Sequence, residues 1–338
     1  MRPTEFDDVR LEKPELVDDE QLRRLAETGA RIRKACLTQP AGTLERADRP
    51  RGVLVLGAEA RLVRAVLEPI CPVPFLAWPG PALPAWVGPL DLVVVLGGHD
   101  AHAWEIACTH EAARRGATLI VAAPGTSQLA AAGASHATTL IPMADGDAMA
   151  SAVAVLERLG LLELGPMVNP GHVADAADLV AQSCSPSREV GSNPAKDLAM
   201  GLADALPLVW GGTTLAGRAS RRIAEAFRRA SGRPGLAADA DELETILRAV
   251  TPRDPFSDPF ESGGDMPPAL LLLDDDKVPE GLKEVPRRLT SLAEAVGVRV
   301  CRISSGDGSL ESSDVERYVT LLQHGRYAAA YLRVGLAT

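Results

Sequence analysis

The sequence predicts an α/β protein with two doubly wound parallel sheets. Three observations favour this fold class. Wholly apolar runs recur along the chain, amphipathic segments separate them, and the 338 residues suffice for roughly two domains at about 150 residues each. Apolar runs without polar alternation are typical of strands buried on both faces. Helices between such strands indicate parallel βαβ crossovers.

The polar segment over residues 1–50 is expected to be an N-terminal helical extension. A helix is predicted over residues 20–35, because Leu22, Leu25 and Ile32 recur at helical spacing. The first twenty residues are acidic, whereas a signal peptide is basic and then apolar. No stretch approaches the ~18 apolar residues of a membrane span. We therefore expect a cytoplasmic protein that makes no contact with a membrane.

The first domain is predicted over residues 51–160, where four apolar runs alternate with four helical patterns. The strands are predicted at Val53–Leu56, Leu92–Leu96, Thr118–Ala123 and Thr139–Ile141. The helices are predicted at Glu59–Leu67, Ala103–Arg115, Ser127–Ala132 and Asp147–Leu159.

The second domain is predicted over residues 161–338, after a connection at Leu161–Pro170 that glycine and proline punctuate. Its strands are predicted at Leu208–Trp210, Ala269–Leu273 and Val298–Ile303. Its helices are predicted near His172–Cys184, Asn193–Ala205, Leu215–Ala230, Asp241–Val250 and Leu282–Ala295, with two closing helices that end near Leu336. The segment Thr251–Pro268 is rich in proline, aspartate and glycine, which predicts an exposed loop.

The charge distribution excludes a general affinity for nucleic acid. The formal net charge is −10, and binding to a phosphate backbone needs clustered positive charge. Arginine supplies 30 of the 35 basic residues, so planar donors for small anions are plentiful. The five cysteines form no C-x-x-C pair, which indicates free thiols in a reducing compartment.

Several common sites are excluded because their motifs are missing. The sequence has no G-x-G-x-x-G, no G-x-x-x-x-G-K-[ST], no G-x-S-x-G and no H-E-x-x-H. The segment His99–Glu105 offers nitrogen and oxygen ligands, but no second pair stands at ligand spacing. We interpret it as a loop and a first helical turn, and we expect neither a metal nor a cofactor.

Two turns that follow predicted strands are candidates for binding an anion. These are Gly57-Ala58-Glu59 and Gly97-Gly98-His99-Asp100. Ligands of open parallel sheets bind at the carboxyl ends of strands, where free amides collect, and glycine allows the backbone to approach a bound group. The alternative is that these are tight turns in which glycine serves only a positive φ.

The helix predicted after Trp210 carries six arginines and one acid, Glu225, between residues 218 and 233. Arginines stand three and four residues before and after Glu225, so the sequence predicts a carboxylate flanked by guanidinium groups. Such neighbours lower the pKa of a carboxyl group and keep it ionised, as a general base requires. The alternative is a solvated helix face with ordinary ion pairs.

One run has a specific counterpart in a known family. The run Gly191–Ala199 (GSNPAKDLA), followed by Leu206–Gly211, resembles the second sugar isomerase (SIS) domain of bifunctional phosphoglucose/phosphomannose isomerases. The stretch Tyr318–Gly335 resembles the closing helices of that family. The first half is similar to a SIS domain in its alternation of apolar runs and helical segments. The resemblance covers most of residues 48–336. It implies two SIS-type, flavodoxin-like sheets, a homodimer and a sugar phosphate as the ligand. The apolar residues of the closing helices also favour a dimer: Val319, Leu321, Leu322, Tyr327, Tyr331 and Leu332.

The resemblance also assigns site residues. The family's catalytic glutamate matches Glu225, at the end of the run Arg218–Glu225. The family's glycine-rich and hydroxyl-rich phosphate turns match Gly57-Ala58-Glu59 and residues 96–101, and Arg218 and Arg222 stand beside the matched glutamate. We therefore expect an anionic sugar derivative to bind at the two turns, Arg218 and Arg222.

The sequence departs from the family at several positions. No histidine lies between His172 and His324, where the family has its ring-opening acid. The hydroxyl positions of the phosphate loop are Leu96, Gly98 and Ala101, the family's Pro-Arg falls at Gly146-Asp147, and the C-terminal lysine has no counterpart before Thr338. Proton donation and positioning each contribute orders of magnitude to rate, so we expect weak or no turnover of glucose 6-phosphate or mannose 6-phosphate. Two hypotheses follow: an aldose–ketose isomerase with Glu225 as base, or a non-catalytic relative that senses a sugar phosphate or supports a partner protein.

Overall fold

The computed structural model divides into two compact units. Thr28–Asp175 forms the continuous unit, and Met1–Glu27 with Ala176–Thr338 forms the two-segment unit. The residues that the structure describes fall in five stretches: 5–37, 49–143, 147–250, 266–306 and 312–337.

The N-terminal segment begins with two short 3-10 helices, at Asp8–Glu12 and Pro14–Asp18. Helix α1 (Glu20–Ala26) follows, with the Asp19 carboxylate accepting from the amide of Leu22 at 3.0 Å. Helix α2 (Thr28–Leu37) comes directly after it. The helix predicted over residues 20–35 is therefore interrupted at its middle.

The continuous unit has a five-stranded sheet in which every pairing is parallel. The strand order is β2-β1-β3-β4-β5, the flavodoxin-like order of a doubly wound sheet. The strands are β1 (Val53–Gly57), β2 (Phe75–Ala77), β3 (Leu92–Leu96), β4 (Thr118–Ala123) and β5 (Thr138–Pro142). The helices after α2 are α3 (Ala60–Leu67), α4 (Ala103–Arg114), α5 (Gln128–Ala132) and α6 (Ala148–Leu161).

The central strands of this sheet are buried along nearly their whole length, as their apolar runs predict. Every residue of β3 is buried, and so are Val53–Leu56 of β1. A fully buried leucine or valine side chain contributes about 1.5–3 kcal/mol relative to an exposed one. These strands therefore form the core that fixes the turns at their carboxyl ends.

The two-segment unit has a four-stranded parallel sheet in the order β7-β6-β8-β9. This order repeats the first four positions of the other sheet, so the prediction of two doubly wound α/β sheets is confirmed. The strands are β6 (Leu206–Gly211), β7 (Leu236–Ala237), β8 (Pro268–Asp274) and β9 (Arg299–Ser304). The helices are α7 (Pro170–Ser183), which crosses the boundary between the units, α8 (Pro194–Gly201), α9 (Thr214–Ser231), α10 (Ala240–Arg248), α11 (Val285–Ala295) and α12 (Asp314–Leu336).

Two features of the sheets and one predicted loop differ from the sequence analysis. The edge strands β2 and β7 were not predicted, because runs of three and two residues carry no readable period. Of the loop predicted at Thr251–Pro268, residues 251–265 lie outside the described residues, and Pro268 begins β8.

The prediction of two closing helices is wrong, because α12 is one helix of 23 residues. Gly325 stands in its middle, and a Cβ there would lie 2.5 Å from the Ile223 side chain of α9. The glycine thus allows α12 and α9 to approach closely without ending the helix. The apolar residues of α12 that were expected to support a dimer are buried within the chain: Val319, Leu321, Leu322, Tyr327, Tyr331 and Leu332.

The structure also groups the N-terminal residues differently from the boundaries predicted at residues 50 and 160. The amide of Asp7 donates to the carbonyl of Gly335 at 2.9 Å, and Asp19 pairs with Arg333 at 2.6 Å. The first 27 residues therefore belong with the last helix, whereas α2 packs on α6 in the continuous unit.

None of the helices within the described ranges combines the length and the apolar character that spanning a lipid bilayer requires.

Candidate functional site

The first sheet reverses its winding between β1 and β3, and ligands of doubly wound folds bind at the carboxyl ends of strands at such a point. The chain runs from β1 to β2 on one side and then returns to β3 on the other. We call the carboxyl ends of β1 and β3 the first switch point. Gly57 pairs with Leu96 in the register of these strands. The turns Gly57-Ala58-Glu59 and Gly97-Gly98-His99-Asp100, predicted separately, therefore lie side by side.

The glycines of the first switch point have different roles. Gly57 has a φ of +104°, and a Cβ on it would lie 1.8 Å from the carbonyl oxygen of Leu96, so strand packing alone demands glycine there. The amide of Gly97 donates to the carbonyl of Ala122 at 3.1 Å. The amides that a ligand could use at this turn therefore begin at Gly98.

The charged residues of the first switch point differ in exposure. Glu59, at the start of α3, is completely buried, whereas His99 and Asp100 are exposed. An acidic side chain beside the turn disfavours a phosphate, and the exposed side chains of His99 and Asp100 can form hydrogen bonds with hydroxyl groups. This turn is therefore better suited to a sugar hydroxyl than to a phosphate.

The segment after Asp100 is the start of α4. The amide of His102 donates to Oε2 of Glu105 at 2.8 Å, which closes the first turn of the helix. Across the parts of the chain that the structure describes, no group of three or more histidine, cysteine, aspartate or glutamate side chains could hold a metal ion.

In the two-segment unit, Glu225 lies on the charged face of α9. Arg222 donates to its carboxylate at 2.8 Å, and Arg229 lies 2.6 Å from it one turn later. Arg218 stands on the same face two turns before Glu225, and it is half-buried. Burial raises the pKa of Glu225, but the charges of Arg222, Arg229 and Arg228 and the bond from Arg222 together bring it below its ordinary value. The carboxylate is thus ionised at neutral pH, as predicted.

The positions where the resemblance placed further catalytic groups carry ion pairs instead. Residues 240–244, where the family has a histidine, form the first turns of α10, and Glu244 there pairs with Arg248 and Arg288. Asp147 accepts from the amide of Ala150 at 2.9 Å and pairs with Arg31 at 3.0 Å, so it caps α6. Gly146, like Thr338, lies outside the described residues.

The run Gly191–Ala199, which carries the resemblance, has a structural role in the two-segment unit. Asn193 accepts from the amides of Ala195 and Lys196 and so begins α8. Lys196 is completely buried, and its ammonium donates to the carbonyls of Pro186 at 3.0 Å and Arg188 at 2.6 Å, with the Tyr331 ring 5.6 Å away. Burial lowers the pKa of this lysine. The motif therefore anchors the loop before α8 to α12.

The second sheet has a corresponding reversal between β6 and β8, and its carboxyl ends form the second switch point. The hydroxyl of Thr213 donates to Oδ2 of Asp275 at 2.6 Å, and Nε of Arg317 donates to Oδ1 at 2.7 Å. Both side chains of the Asp275–Arg317 pair are more than nine-tenths buried. Burial lowers the pKa of Arg317, but the bonds to Asp275 and Asp314 raise it by a larger amount. The pKa of Arg317 therefore lies above its ordinary value.

The sequence analysis missed this network, although a signal was present. Gly211-Gly212-Thr213 follows one buried strand, and Asp274-Asp275-Asp276 follows the next. Ligands of open parallel sheets bind at the carboxyl ends of strands, and this rule, which identified the turns of the first sheet, also applies to these two turns. Arg317 had no such signal, because it comes from the start of a helix far along the chain.

One family model matches the chain. Residues 191–335 match the bacterial phospho-glucose isomerase C-terminal SIS domain. This segment runs from the turn before α8 almost to the end of α12, and it contains both Glu225 and the second switch point. None of the curated proteins matches the chain in sequence.

Solved structures with the same fold span nearly the whole chain. A glucose-6-phosphate isomerase-like protein from Thermus thermophilus is 16% identical, with a TM-score of 0.52 over 94% of this chain and 92% of that one. Tagatose-6-phosphate ketose/aldose isomerase from Escherichia coli is 12% identical, with a TM-score of 0.62 over 98% and 92%. The C-terminal domain of glucosamine-fructose-6-phosphate aminotransferase from Francisella tularensis is 10% identical, with a TM-score of 0.64 over 95% and 98%. The chain therefore has the fold of phosphosugar isomerase-like SIS proteins.

Proposed function

We propose that this chain binds a sugar phosphate and acts on hexose 6-phosphates as an aldose–ketose isomerase, with Glu225 as the base. The observation that carries the proposal is the ionised Glu225 carboxylate between Arg222 and Arg229, at the position that matches the family's catalytic glutamate. The match of residues 191–335 to a SIS domain of the phosphoglucose isomerase type supports it.

The proposed chemistry is a proton transfer between adjacent carbons. Glu225 takes a proton from C2 of an open-chain aldose phosphate, and the electron pair moves to the carbonyl oxygen to give an enediolate. The proton of the C2 hydroxyl passes to the adjacent O1, so that O2 holds the negative charge. The protonated Glu225 then returns its proton to C1 while the C2 carbonyl forms, which yields the ketose. Arg222 beside the carboxylate and Arg218, on the same face two turns earlier, would stabilise the negative charge that develops and hold the phosphate.

The first switch point, in the continuous unit, is proposed separately as a position that binds a sugar derivative. The amides from Gly98 onward and the side chains of His99 and Asp100 are the groups that a ligand could reach there, and Gly57, Ala58 and Gly97 shape the backbone. The chemistry of this turn supports contact with hydroxyl groups.

A second candidate function has its own support: a non-catalytic SIS protein that senses a sugar phosphate or supports a partner protein. No histidine stands between His172 and His324, and Glu244 is engaged by Arg248 and Arg288. A ring-closed sugar phosphate would then lack the histidine that opens the ring in the resembled family. The two candidates differ in turnover and share the ligand.

The test is a coupled isomerase assay with glucose, mannose and fructose 6-phosphate, together with thermal shifts in the same ligands. The isomerase proposal expects turnover that Glu225→Gln lowers by about 10²–10⁴-fold, since the variant removes the base. The matched control is Glu111→Gln, because Glu111 lies on α4 with arginines three and four residues away. Equal losses in both variants would contradict the role of Glu225.

Thermal shifts separate the remaining outcomes. Stabilisation by a hexose 6-phosphate without turnover favours the sensing protein. If none of the three ligands raises the Tm, the phosphosugar proposal is wrong.

A homodimer is proposed on the resemblance alone, and a cytoplasmic location on the five cysteines, which form no C-x-x-C pair. The apolar residues of α12 no longer support the homodimer, because they are buried within the chain. Light scattering at micromolar protein concentration tests the proposal, and a monomer would contradict it.

A further inference from the structure

The second switch point holds a set of donors that ordinarily binds an external anion. Thr213 precedes α9, a helix of 18 residues, and its hydroxyl accepts from the amide of Ala216 at 3.0 Å. Helix N-termini at the carboxyl edge of a parallel sheet attract anions. Arg317 adds a guanidinium that is almost completely buried. A hydroxyl at a helix N-terminus and a buried arginine are the groups that bind one oxyanion.

These donors converge on a carboxylate that belongs to the chain. Oδ2 of Asp275 accepts from the Thr213 hydroxyl, and Oδ1 accepts from Nε of Arg317 at 2.7 Å and from the amide of Lys277 at 3.4 Å. The Asp275 side chain is 3% exposed. Thr213 before α9 and Arg317 on α12 therefore supply the side-chain donors, and the turn after β8 supplies both the anion and one amide donor.

We infer that Asp275 is a built-in anion that occupies the anion position of the second switch point and excludes phosphate from it. The Asp275 carboxylate already accepts from the Thr213 hydroxyl and the Arg317 guanidinium, and its charge repels an external anion. Asp275 is thus a specificity-determining residue, because it confines phosphate binding to other parts of the chain. This inference is independent of the isomerase proposal.

The test removes the carboxylate and supplies a small one. Asp275→Ala opens a space of about the size of formate beside Thr213 and Arg317. We expect the Tm to fall by about 10 °C, because the buried Arg317 guanidinium loses its buried counter-charge and keeps the exposed Asp314 as its carboxylate partner. Sodium formate should then raise the Tm of the variant in a saturable manner, relative to sodium chloride at the same ionic strength. Formate should leave the wild type unchanged.

The control is Glu244→Ala in the same unit. Glu244 is also a buried carboxylate between two arginines, but Arg248 and Arg288 are more than half exposed and return to water when it is removed. Formate should therefore not restore its Tm. If formate fails to stabilise Asp275→Ala, or stabilises both variants equally, the inference is wrong.

A second variant keeps the inference testable if Asp275→Ala does not fold. Asp275→Ala combined with Arg317→Met removes both buried charges. Removing both partners costs less than removing one, so the double variant should have the higher Tm and should not respond to formate. A double variant that is less stable than Asp275→Ala, or that formate stabilises, would overturn the assignment. Neither measurement depends on sugar phosphate turnover.

Discussion

The two switch points lie in sheets that share a strand order, but their charged side chains differ in burial and pairing. At the first, glycine turns lie beside a buried Glu59, and exposed His99 and Asp100 follow them. At the second, Asp275 and Arg317 form a buried ion pair that Thr213 completes. The winding of a sheet therefore determines where a site can form. The side chains at the strand ends determine whether an external ligand can use it.

The largest loss of stability is expected when Arg317, the cation of the second switch point, is removed. Arg317→Met leaves Asp275 buried without its counter-charge and should lower the free energy of unfolding by about 3–5 kcal/mol, as measured by urea denaturation. The comparison variant is Arg51→Met in the other unit. Asp91 there keeps the amide of Gly88 as a donor at 2.8 Å, and Arg51 is half exposed. A loss for Arg51→Met as large as that for Arg317→Met would contradict the distinction.

The next effect tests the backbone of the first switch point. Gly57→Ala combines a φ of +104° with a Cβ placed against the Leu96 carbonyl, so we expect a loss of about 2–4 kcal/mol by the same measurement. Gly97→Ala should cost less, because its Cβ would meet only the movable end of the Leu129 side chain at 2.6 Å. The reverse order would show that the two glycines have been assigned the wrong roles.

A smaller effect separates helix capping from the carboxylate contact. Thr213→Val removes the cap of α9 and the donor to Asp275, and we expect a loss of about 1–2 kcal/mol. Ser127→Ala removes only a cap, since the Ser127 hydroxyl accepts from the amide of Ala130 at 3.2 Å. The amount by which Thr213→Val exceeds Ser127→Ala in thermal or urea denaturation measures the contact with Asp275. No excess would mean that the contact adds no stability.

The smallest effect concerns the charged face of the helix that begins at the second switch point. The pKa of Glu225 is lower in the folded chain than its ordinary value of 4.5, so its ion pairs stabilise the fold above that pH and lose this effect as the pH falls through the folded pKa. Glu225→Gln should cost a few tenths of a kcal/mol at neutral pH. The difference from wild type in urea denaturation should begin to shrink below pH 4.5 and vanish once the pH has fallen through the lower pKa of the folded chain.

Glu111→Gln is again the control. Bonds from Arg114 and Arg115 lower the pKa of Glu111 to about 2, so its difference from wild type should persist to lower pH than that of Glu225→Gln. A Glu225→Gln difference that does not change with pH would contradict the direction of the shift.

The sheets could be predicted from the sequence because their signal is local. Val93–Val95 and Leu270–Leu272 are apolar runs that only a strand buried on both faces uses, and the structure has both. Glu225 and its arginines could be found for the same reason, since helical spacing brings them together within two turns. Gly325 illustrates the limit: within the sequence it indicates a break, and only the position of Ile223 on another helix shows its packing role.

The buried charges could not be predicted because their partners are distant in sequence. Asp275 and Arg317 are separated by 42 residues. Lys196 donates to backbone carbonyls, which every residue type has, so no residue type in the sequence marks its partners. In both cases the residue type is visible in the sequence and the environment is not.

The bond between Asp7 and Gly335 has a consequence for how the chain is made. Domains tend to fold one after another as a chain leaves the ribosome. Residues 28–175 have all been added while nearly half of the sequence is still to come. The helices before residue 28, in contrast, wait for α12 before their packing surface exists. The N-terminal segment is thus synthesised before the continuous unit but packs on α12 only after that unit has been made.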